Sequence, residues 1–354
     1  MSLTLQRRGL VDEYNGYQFR RESMAQDSAG KLIYPHNARF ESGPFGSDKA
    51  ILVEEGTENL LSDKLSPNTW VKGSEVDIVE SAGLAPDGTL SAYKVIFNGT
   101  ILIGNRIYIN SIGSANHKCF SVWMRADVPQ NVVVVFSDQY SDENGKREII
   151  SLTQEWQRFS IVETDKLRPI RLQIQRGAGS EAQEFYFWNP QLEQKPYATT
   201  FTPSVRADES LTVPIEGLLS PEQGTIELWY NDNGINKNKI VVKCGDLKFN
   251  PVSVTEGWHL ISVIWDGVDT NYYIDKELVS TTNSPTELGS LYLGSDGDID
   301  FINSLISHLR LSSIARTQEQ LAPLDAPPTV DEYTTLYLPF NGPDNVRATT
   351  VVTL

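Results

Sequence analysis

The segment Phe120-Ser-Val-Trp-Met-Arg-Ala-Asp127 alternates residues suited to a core with residues suited to a surface. Phe120, Val122 and Met124 share one parity, and a serine, a tryptophan and an arginine share the other. Successive side chains of a strand point to opposite faces of a sheet. The alternation therefore predicts a strand with one face in a core and the other face presented outward.

Similar short runs recur along the chain at a spacing of roughly 8–12 residues, separated by Gly, Asn, Asp and Pro. Examples are the segments 132–136, 184–188, 225–230, 260–265 and 291–293. Helical periodicity is scarce. We therefore predict an all-β protein with two antiparallel β-sandwich (jelly-roll) domains and an extended N-terminal arm.

Composition and charge exclude several classes of function. The chain has 354 residues, of which 40% are hydrophobic, so it can bury sizeable cores. Its 30 basic and 46 acidic residues give a net charge of −16, which repels nucleic-acid phosphates, and we expect no nucleic-acid partner. No apolar run approaches the roughly 20 residues of a membrane span, so we expect no membrane insertion.

Changes in composition suggest five segments. We predict an N-terminal docking arm over residues 1–37, first strands of a sandwich over 38–57, a jelly roll over 58–203, a second sandwich over 204–321, and a Pro-rich linker with a C-terminal strand over 322–354. The linker prediction depends on Ala322-Pro-Leu-Asp-Ala-Pro-Pro328, because proline favours extended backbone.

The jelly-roll segment carries an ordered series of motifs. They are Glu58-Asn-Leu-Leu61, Trp70, Ala85-Pro-Asp-Gly-Thr89, Phe120–Asp127, Trp156-Gln-Arg-Phe159, Phe187-Trp-Asn-Pro-Gln-Leu-Glu193 and Tyr197-Ala-Thr-Thr-Phe-Thr-Pro203. In this order the motifs resemble the carbohydrate-binding-module-like jelly rolls of tailed-phage structural proteins.

The segment after it has motifs of another kind. Gly224-Thr-Ile-Glu-Leu-Trp-Tyr230, Gly257-Trp-His-Leu-Ile-Ser-Val-Ile-Trp265 and Ile306-Ser-His-Leu-Arg-Leu-Ser312 resemble strands of a laminin-G or concanavalin-A-like sandwich. Residues 38–57 look like the opening strands of that sandwich, although they precede the jelly roll. We therefore predict that the jelly roll is inserted into the second sandwich.

The two resemblances imply a virion structural protein of a tailed phage, in the tail, the baseplate or the head decoration. Such a protein would adhere to host-surface glycans or pack against neighbouring subunits, and it would not be an enzyme. We expect other virion proteins as partners and a homo-oligomer, with a trimer as one possibility. No apolar signal segment follows Met1, so we expect assembly in the host cytoplasm and location in the virion.

Sugar-binding jelly rolls stack sugar rings on aromatic side chains. The candidates for glycan binding are Trp70, Tyr93, Trp123 and Tyr186. The alternative is packing in a core, which we favour for Trp123 because it lies within a strand run. Polar neighbours on both sides make Trp70 the better candidate for exposure.

A carboxylate motif suggests a different function. Glu75-Val-Asp-Ile-Val-Glu80 fits the ExDxxE pattern of laminarinase-like glycoside hydrolases, in which Glu75 and Glu80 would act as the catalytic pair. The alternative is a solvated polar strand face.

One acidic loop could hold a cation. Asp296, Asp298 and Asp300 are candidate ligands for a structural Ca²⁺, since calcium prefers several carboxylate or carbonyl oxygens. The alternative is an acidic hairpin tip. We expect no other cofactor.

Overall fold

The computed structural model describes most of the chain. The described residues are 17–23, 25–33, 37–46, 48–99, 104–112, 118–138, 141–164, 170–177, 183–234, 239–251, 254–297 and 301–340.

The described residues form short antiparallel strands and two single-turn 3-10 helices, at Pro67–Thr69 and Gln318–Gln320. The strands are β1 Gln18–Arg20, β2 Ala25–Gln26, β3 Leu32–Ile33, β4 Arg39–Ser42, β5 Lys49–Val53, β6 Thr57–Glu58, β7 Val71–Lys72, β8 Val76–Gly83, β9 Ala92–Phe97, β10 Arg106–Ile112, β11 Lys118–Arg125, β12 Gln130–Asp138, β13 Ser141–Leu152, β14 Gln157–Glu163, β15 Ile170–Arg176, β16 Gln183–Glu193, β17 Val205–Arg206, β18 Ser210–Val213, β19 Gly224–Asp232, β20 Val242–Cys244, β21 Leu247–Phe249, β22 Gly257–Trp265, β23 Asp269–Ile274, β24 Glu277–Asn283, β25 Leu291–Leu293, β26 Ser304–Ser312 and β27 Thr334–Leu338. The all-β prediction is confirmed.

The chain divides into two compact units, and one of them is discontinuous in sequence. The discontinuous unit comprises the described residues of Met1–Asp27, Ile33–Gly56 and Ala207–Leu354. The inserted unit comprises those of Ser28–Leu32 and Thr57–Arg206. Within the inserted unit, Val205 pairs with Glu58, so the two ends of the segment Thr57–Arg206 lie side by side.

The discontinuous unit is a sandwich of two sheets. One has the order β1-β18-β25-β20-β21, and the other has the order β24-β23-β22-β19-β26-β5-β4, with β27 also paired to β26. Strand β5 pairs with β26 across about 250 residues of sequence, with Ile51 opposite Ile306. One apolar core fills the space between the sheets and includes Leu228, Val263 and Trp265.

The inserted unit is also a sandwich, with the sheet orders β13-β12-β15-β10-β7 and β14-β11-β16-β9-β8. Phe120, Val122 and Met124 of β11 are buried in its core, as their alternation predicts. In each strand, the residues between the core positions therefore point to the outward face of the sheet.

The structure differs from the prediction in the segment 1–37. Strand β1 pairs with β18, and both Tyr17 and Phe19 are buried in the core of the discontinuous unit. Arg21 is buried and donates to the Glu209 carboxylate at 3.0 Å. These residues belong to the fold of their own chain, because two apolar side chains at alternate positions fill its core. Residues 1–16 lie outside the described residues.

The predicted linker also differs from the structure, because residues 321–331 form a strap over the outward face of β19 and β26. The backbone N–H of Ala322 donates to Glu227 at 2.8 Å, and the Arg310 side chain donates to the Thr329 carbonyl at 2.8 Å. The end of the strap is fixed by Asp331, which accepts two bonds from Arg316 at 2.8 and 2.6 Å. The segment is therefore attached to the sheet and is not a spacer.

Candidate functional site

Trp70 is a core residue, and the prediction of its exposure is wrong. It is 4% exposed, and its ring packs edge-on against Phe120 and Phe187 with centroids 6.2 and 5.5 Å away. Its indole N–H donates to the Lys64 carbonyl at 2.9 Å. The polar residue before Trp70 belongs to the 3-10 turn at Pro67–Thr69, so a polar neighbour does not place the Trp70 ring at the surface. This ring is not accessible to a sugar.

The other three predicted aromatics do not form one platform. Tyr93 is partly exposed and has the parity of the buried Val95 of β9, on the core side of the sheet. Trp123 and Tyr186 lie on the outward face of the same sheet, where Trp123 is partly exposed. Trp123 lies opposite the buried Trp188 in the neighbouring strand.

A charged group covers Tyr186. Its ring is only 8% exposed, because the Arg125 guanidinium lies 4.0 Å from the ring centroid. Arg125 donates to Asp127 at 2.7 Å, and the Tyr186 hydroxyl donates to the same carboxylate at 3.2 Å. The bond from Arg125 holds the pKa of Asp127 below its usual value. Because Arg125 and Asp127 bond to each other beside Tyr186, little of the Tyr186 ring is free for stacking against a sugar.

The opposite sheet of the inserted unit carries a second outward face, which sequence reasoning missed. We call it the amide–guanidinium face, and its members are Arg106, Tyr108, Asn110, Ser137, Arg147, Arg171, Gln173 and Gln175. They alternate with buried apolar residues, among them Ile107, Leu172 and Ile174.

The strand register places these side chains in rows. Tyr108 of β10 lies opposite Gln173 of β15, which lies opposite Val135 of β12, which lies opposite Arg147 of β13. With about 4.8 Å between strands, this row is roughly 14 Å long. In the next row, Arg106 lies opposite Gln175. The members of the face therefore come from four neighbouring strands, and Ser137, Gln173 and Gln175 of the two middle strands are buried.

A hydrogen-bond ladder links the members of the face. Arg147 donates to Oε1 of Gln175 at 2.7 Å, and Nε2 of Gln175 donates to Oε1 of Gln173 at 3.0 Å. Arg106 donates to the same Gln173 oxygen at 3.2 Å, and Gln173 donates to the Ser137 hydroxyl at 2.8 Å. Gln173 is 0% exposed and Gln175 is 4% exposed. Each link fixes the orientation of the next side chain.

Tyr108 lies between two of the arginines. The guanidinium carbons of Arg106 and Arg171 are 5.1 and 4.9 Å from its ring centroid. Arg171 also donates to the Asn110 side-chain oxygen at 2.7 Å. The ring and the two cations are partly exposed, so the face offers an aromatic surface and planar donors to a ligand.

This arrangement suits a ligand rich in hydroxyl groups. Amides offer both donors and acceptors, and guanidinium groups offer several donors in a fixed plane. Together with an aromatic ring, these are the few placed polar groups that give a binding site its specificity. The strict alternation of Arg106-Ile-Tyr-Ile-Asn110 and of Arg171-Leu-Gln-Ile-Gln175 predicts one polar face for each strand. The register between the two strands cannot be predicted from either segment.

The carboxylates of the ExDxxE motif are held by three different asparagines. Asn105 donates to Glu75 at 2.6 Å, and Asn68 donates to Glu80 at 2.6 Å. Asp77, between them, accepts from Asn98. Glu75 lies in a turn just before β8, and Glu80 lies within β8 beyond Val79, where its regular pairing with β9 is interrupted.

Hydrolysis of a glycosidic bond needs its two carboxyl groups about 5–9.5 Å apart. Glu75 and Glu80 accept hydrogen bonds from different asparagines, and their role as a catalytic pair stays a prediction.

The calcium prediction falls largely outside the described residues, because Asp298 and Asp300 are not among them. The backbone carbonyl of Asp296 accepts from the Lys243 ammonium at 2.6 Å. Within the described part of the chain, no group of three or more His, Cys, Asp or Glu side chains could hold a metal ion. The calcium site stays a prediction.

No protein-family model and no curated protein matches the chain. Some solved structures match it at low identity and with low TM-scores. The N-terminal CBM22-1–CBM22-2 tandem domain of Paenibacillus barcinonensis Xyn10C matches at 9% identity over 80% of this chain and 95% of that one, with a TM-score of 0.31. The tripod from the baseplate of bacteriophage Tuc2009 matches at 12% identity over 76% of this chain and 99% of that one, with a TM-score of 0.28.

A structure of CBM4 matches a smaller part, at 15% identity over 34% of this chain and 88% of that one, with a TM-score of 0.25. In the described part of the chain, no helix is both long enough and apolar enough to cross a membrane.

Proposed function

We propose that this chain is a non-enzymatic virion structural protein of a tailed phage that binds host-surface glycans through the amide–guanidinium face of its inserted unit. Its partners would be other virion proteins and further copies of the same chain. The resemblance of the sequence motifs to phage jelly rolls supports the virion role, and the discontinuous unit would serve as the scaffold.

The observation that carries the glycan proposal is the ladder through Gln173 and Gln175. Burying a polar amide is costly unless its hydrogen bonds are made, and an outward sheet face has no structural need of two such groups. Here they hold Arg106 and Arg147 in fixed positions at the surface. Preorganised donors lose less freedom on binding, so even a small site of this kind can recognise a sugar chain.

The test is a glycan array probed with the intact chain and with two variants. Tyr108→Ala removes the ring between the arginines, and we expect its array signal to fall at least about tenfold, the loss of one good contact. Trp123→Ala, on the outward face of the other sheet, is the matched control and should keep its signal. If only Trp123→Ala loses the array signal, the glycan site lies on that other face.

The virion role has its own test. Antibodies against the chain should label a fixed position on purified phage particles. If the chain is on the particle but binds no glycan, its role is subunit packing, and the glycan proposal is wrong.

A further inference from the structure

Strand β24, Glu277–Asn283, lies at one edge of the eight-stranded sheet of the discontinuous unit, where β23 is its one partner among the described strands. All seven of its residues are exposed, although β23 beside it buries Thr270, Tyr272 and Ile274. The opposing sheet has five described strands, and β24 contributes no residue to the described core between the two sheets. The free side of β24 therefore offers a row of backbone N–H and C=O groups to another strand.

Proteins commonly protect such an edge with charged side chains, and four other edge strands of this chain fit that rule. Strands β4, β8, β13 and β14 each lie at the edge of a sheet, and each contains at least two charged residues. Residues 278–284, by contrast, contain none, although 21% of the chain is charged. The edge at β24 therefore lacks the usual electrostatic protection against pairing.

A tight turn holds β24 in place. Asp275 and Lys276 join β23 to β24 with φ of +51° and +69°, as a two-residue type I′ hairpin turn requires. Six of the seven residues of β24 pair with β23, and Val279 is the extra residue of a bulge. A bulge is another way to protect an edge, but this one interrupts the strand at a single residue. An ordered strand loses little conformational freedom when it pairs, which favours association.

Charge indicates which partner fits this edge. Each copy of the chain carries a net charge of −16, so two copies repel each other less where they meet at uncharged residues. When β24 pairs antiparallel over its whole length with the β24 of a second copy, Ser280 lies on the two-fold axis. Glu277 then lies opposite Asn283 of the other copy, and Val279 lies opposite Thr281, so no like charges are opposed. A two-fold axis also closes the contact at two copies.

We propose that β24 is a homodimerisation edge, at which two copies of the chain pair their β24 strands antiparallel into one continuous sheet. The pairing rests on the contact between copies that the proposed function includes, and it names the surface for that contact. One strand pair buries a small area, so the association is weak in solution and becomes effective where other contacts on a particle hold the copies together.

Sedimentation equilibrium of the full chain, up to about 0.3 mM because the interface is small, measures the association. We expect a monomer–dimer equilibrium. Ser280→Lys places two ammonium groups opposite each other at the axis, and the dimer dissociation constant should rise at least about tenfold. Val128→Lys, at a valine that is 72% exposed in the inserted unit, is the matched control and should leave the constant unchanged. Both variants add one positive charge to an acidic chain, so a general charge effect would strengthen association in both.

An introduced thiol tests the register. Ser280→Cys should form a disulfide between two copies under mild oxidation, because opposed residues of an antiparallel pair have Cα atoms about 4.5–5.5 Å apart, within the range of a disulfide. Cys119 and Cys244 are buried, and burial raises the pKa of both thiols to about 12, so they react slowly. Val128→Cys is the control and should form far less disulfide.

The outcomes separate this pairing from the proposed function. A monomer at every concentration, with no more disulfide in Ser280→Cys than in Val128→Cys, overturns the pairing. An oligomer that Ser280→Lys leaves intact means that the copies associate through another surface, so β24 is wrong while contact between copies stands. A strong Ser280→Cys disulfide supports the pairing even where the dimer is too weak to sediment. The glycan array and the labelling of particles are unaffected by any of these results.

Discussion

Arg39 and Glu209 form a buried ion pair although 170 positions separate them in the sequence. Arg39 also donates to Glu54 at 2.7 Å, and the Glu54 backbone N–H donates to Glu209 at 3.0 Å. Burial alone lowers the pKa of Arg39, but the carboxylates of Glu209 and Glu54 outweigh burial and raise that pKa above its usual value. The cluster ties Arg39 and Glu54, which precede the segment Thr57–Arg206, to Glu209, which follows it.

Arg39→Met should therefore destabilise the discontinuous unit strongly. It leaves two buried carboxylates with fewer partners, and breaking such a pair costs about 3–5 kcal/mol of unfolding free energy. Urea unfolding followed by tryptophan fluorescence measures the loss. Arg20→Met, which breaks an exposed pair with Glu22, should leave the unfolding midpoint almost unchanged. Similar midpoints for the two variants would contradict the role of the cluster.

Trp70→Ala separates the core interpretation from the sugar-platform interpretation. Because Trp70 packs between core rings, its truncation should lower the unfolding free energy by about 3–5 kcal/mol. Trp70→Phe keeps most of the packing and should bind glycans as the unmodified chain does. If Trp70→Phe loses glycan binding while its unfolding free energy is unchanged, the Trp70 indole contacts the ligand.

Protonation of His308 should weaken the fold at mildly acidic pH. Its side chain lies buried between Tyr337, whose hydroxyl is 2.6 Å from Nδ1, and Asp48, whose carboxylate is 2.9 Å from Nε2. Asp48 can only accept, so neutral His308 donates through Nε2 and accepts through Nδ1. Burial lowers the pKa of His308, and the bond to Asp48 offsets part of that effect.

The sign of the pH dependence follows from this lowered pKa. The unfolded chain takes up the proton first, near pH 6.5, so folding stability is full above that pH and is lost as the pH falls towards the lower folded pKa. The backbone of His308 has φ +49°, which asparagine tolerates. His308→Asn should reduce the loss of stability between pH 7.5 and pH 5, measured by urea unfolding. An unchanged slope in this variant would show that other groups cause the loss of stability.

Asp331→Ala should release the end of the strap. The Arg316 side chain holds the pKa of Asp331 well below its usual range, so the pair stays charged at neutral pH. Without the carboxylate, we expect faster proteolytic cleavage within residues 321–331, followed by mass spectrometry. Asp325→Ala removes the same charge from the exposed middle of the strap and should keep the original cleavage rate. Equal rates in the two variants would mean that Arg316 does not fix the strap.

The sequence predicted the fold class because strand alternation is a local property. Phe120, Val122 and Met124 show their parity within five residues, and the structure confirms them as core. The burial of Trp70 was not predictable in the same way. Its polar neighbours are local, whereas its contacts with Phe120 and Phe187 depend on strands far along the chain.

The amide–guanidinium face illustrates the same limit. Arg106 and Gln173 are 67 positions apart, and only the pairing of β10 with β15 makes them neighbours. The alternation within each strand predicts which of its residues point outward, but it does not predict which residues of another strand lie beside them. Sequence reasoning therefore favoured single large aromatics over a set of smaller polar groups.

The place where the chain leaves and re-enters the discontinuous unit has a genetic consequence. The Gly56 N–H donates to Asp208, and the Glu209 N–H donates to the Glu54 carbonyl, so the crossings at 56/57 and 206/207 meet at one point. A single recombination tract that replaces codons 57–206 would leave that point unchanged and would exchange all of the inserted unit except Ser28–Leu32. On the proposed function, a phage lineage could acquire a new receptor preference in one exchange while its particle architecture is conserved.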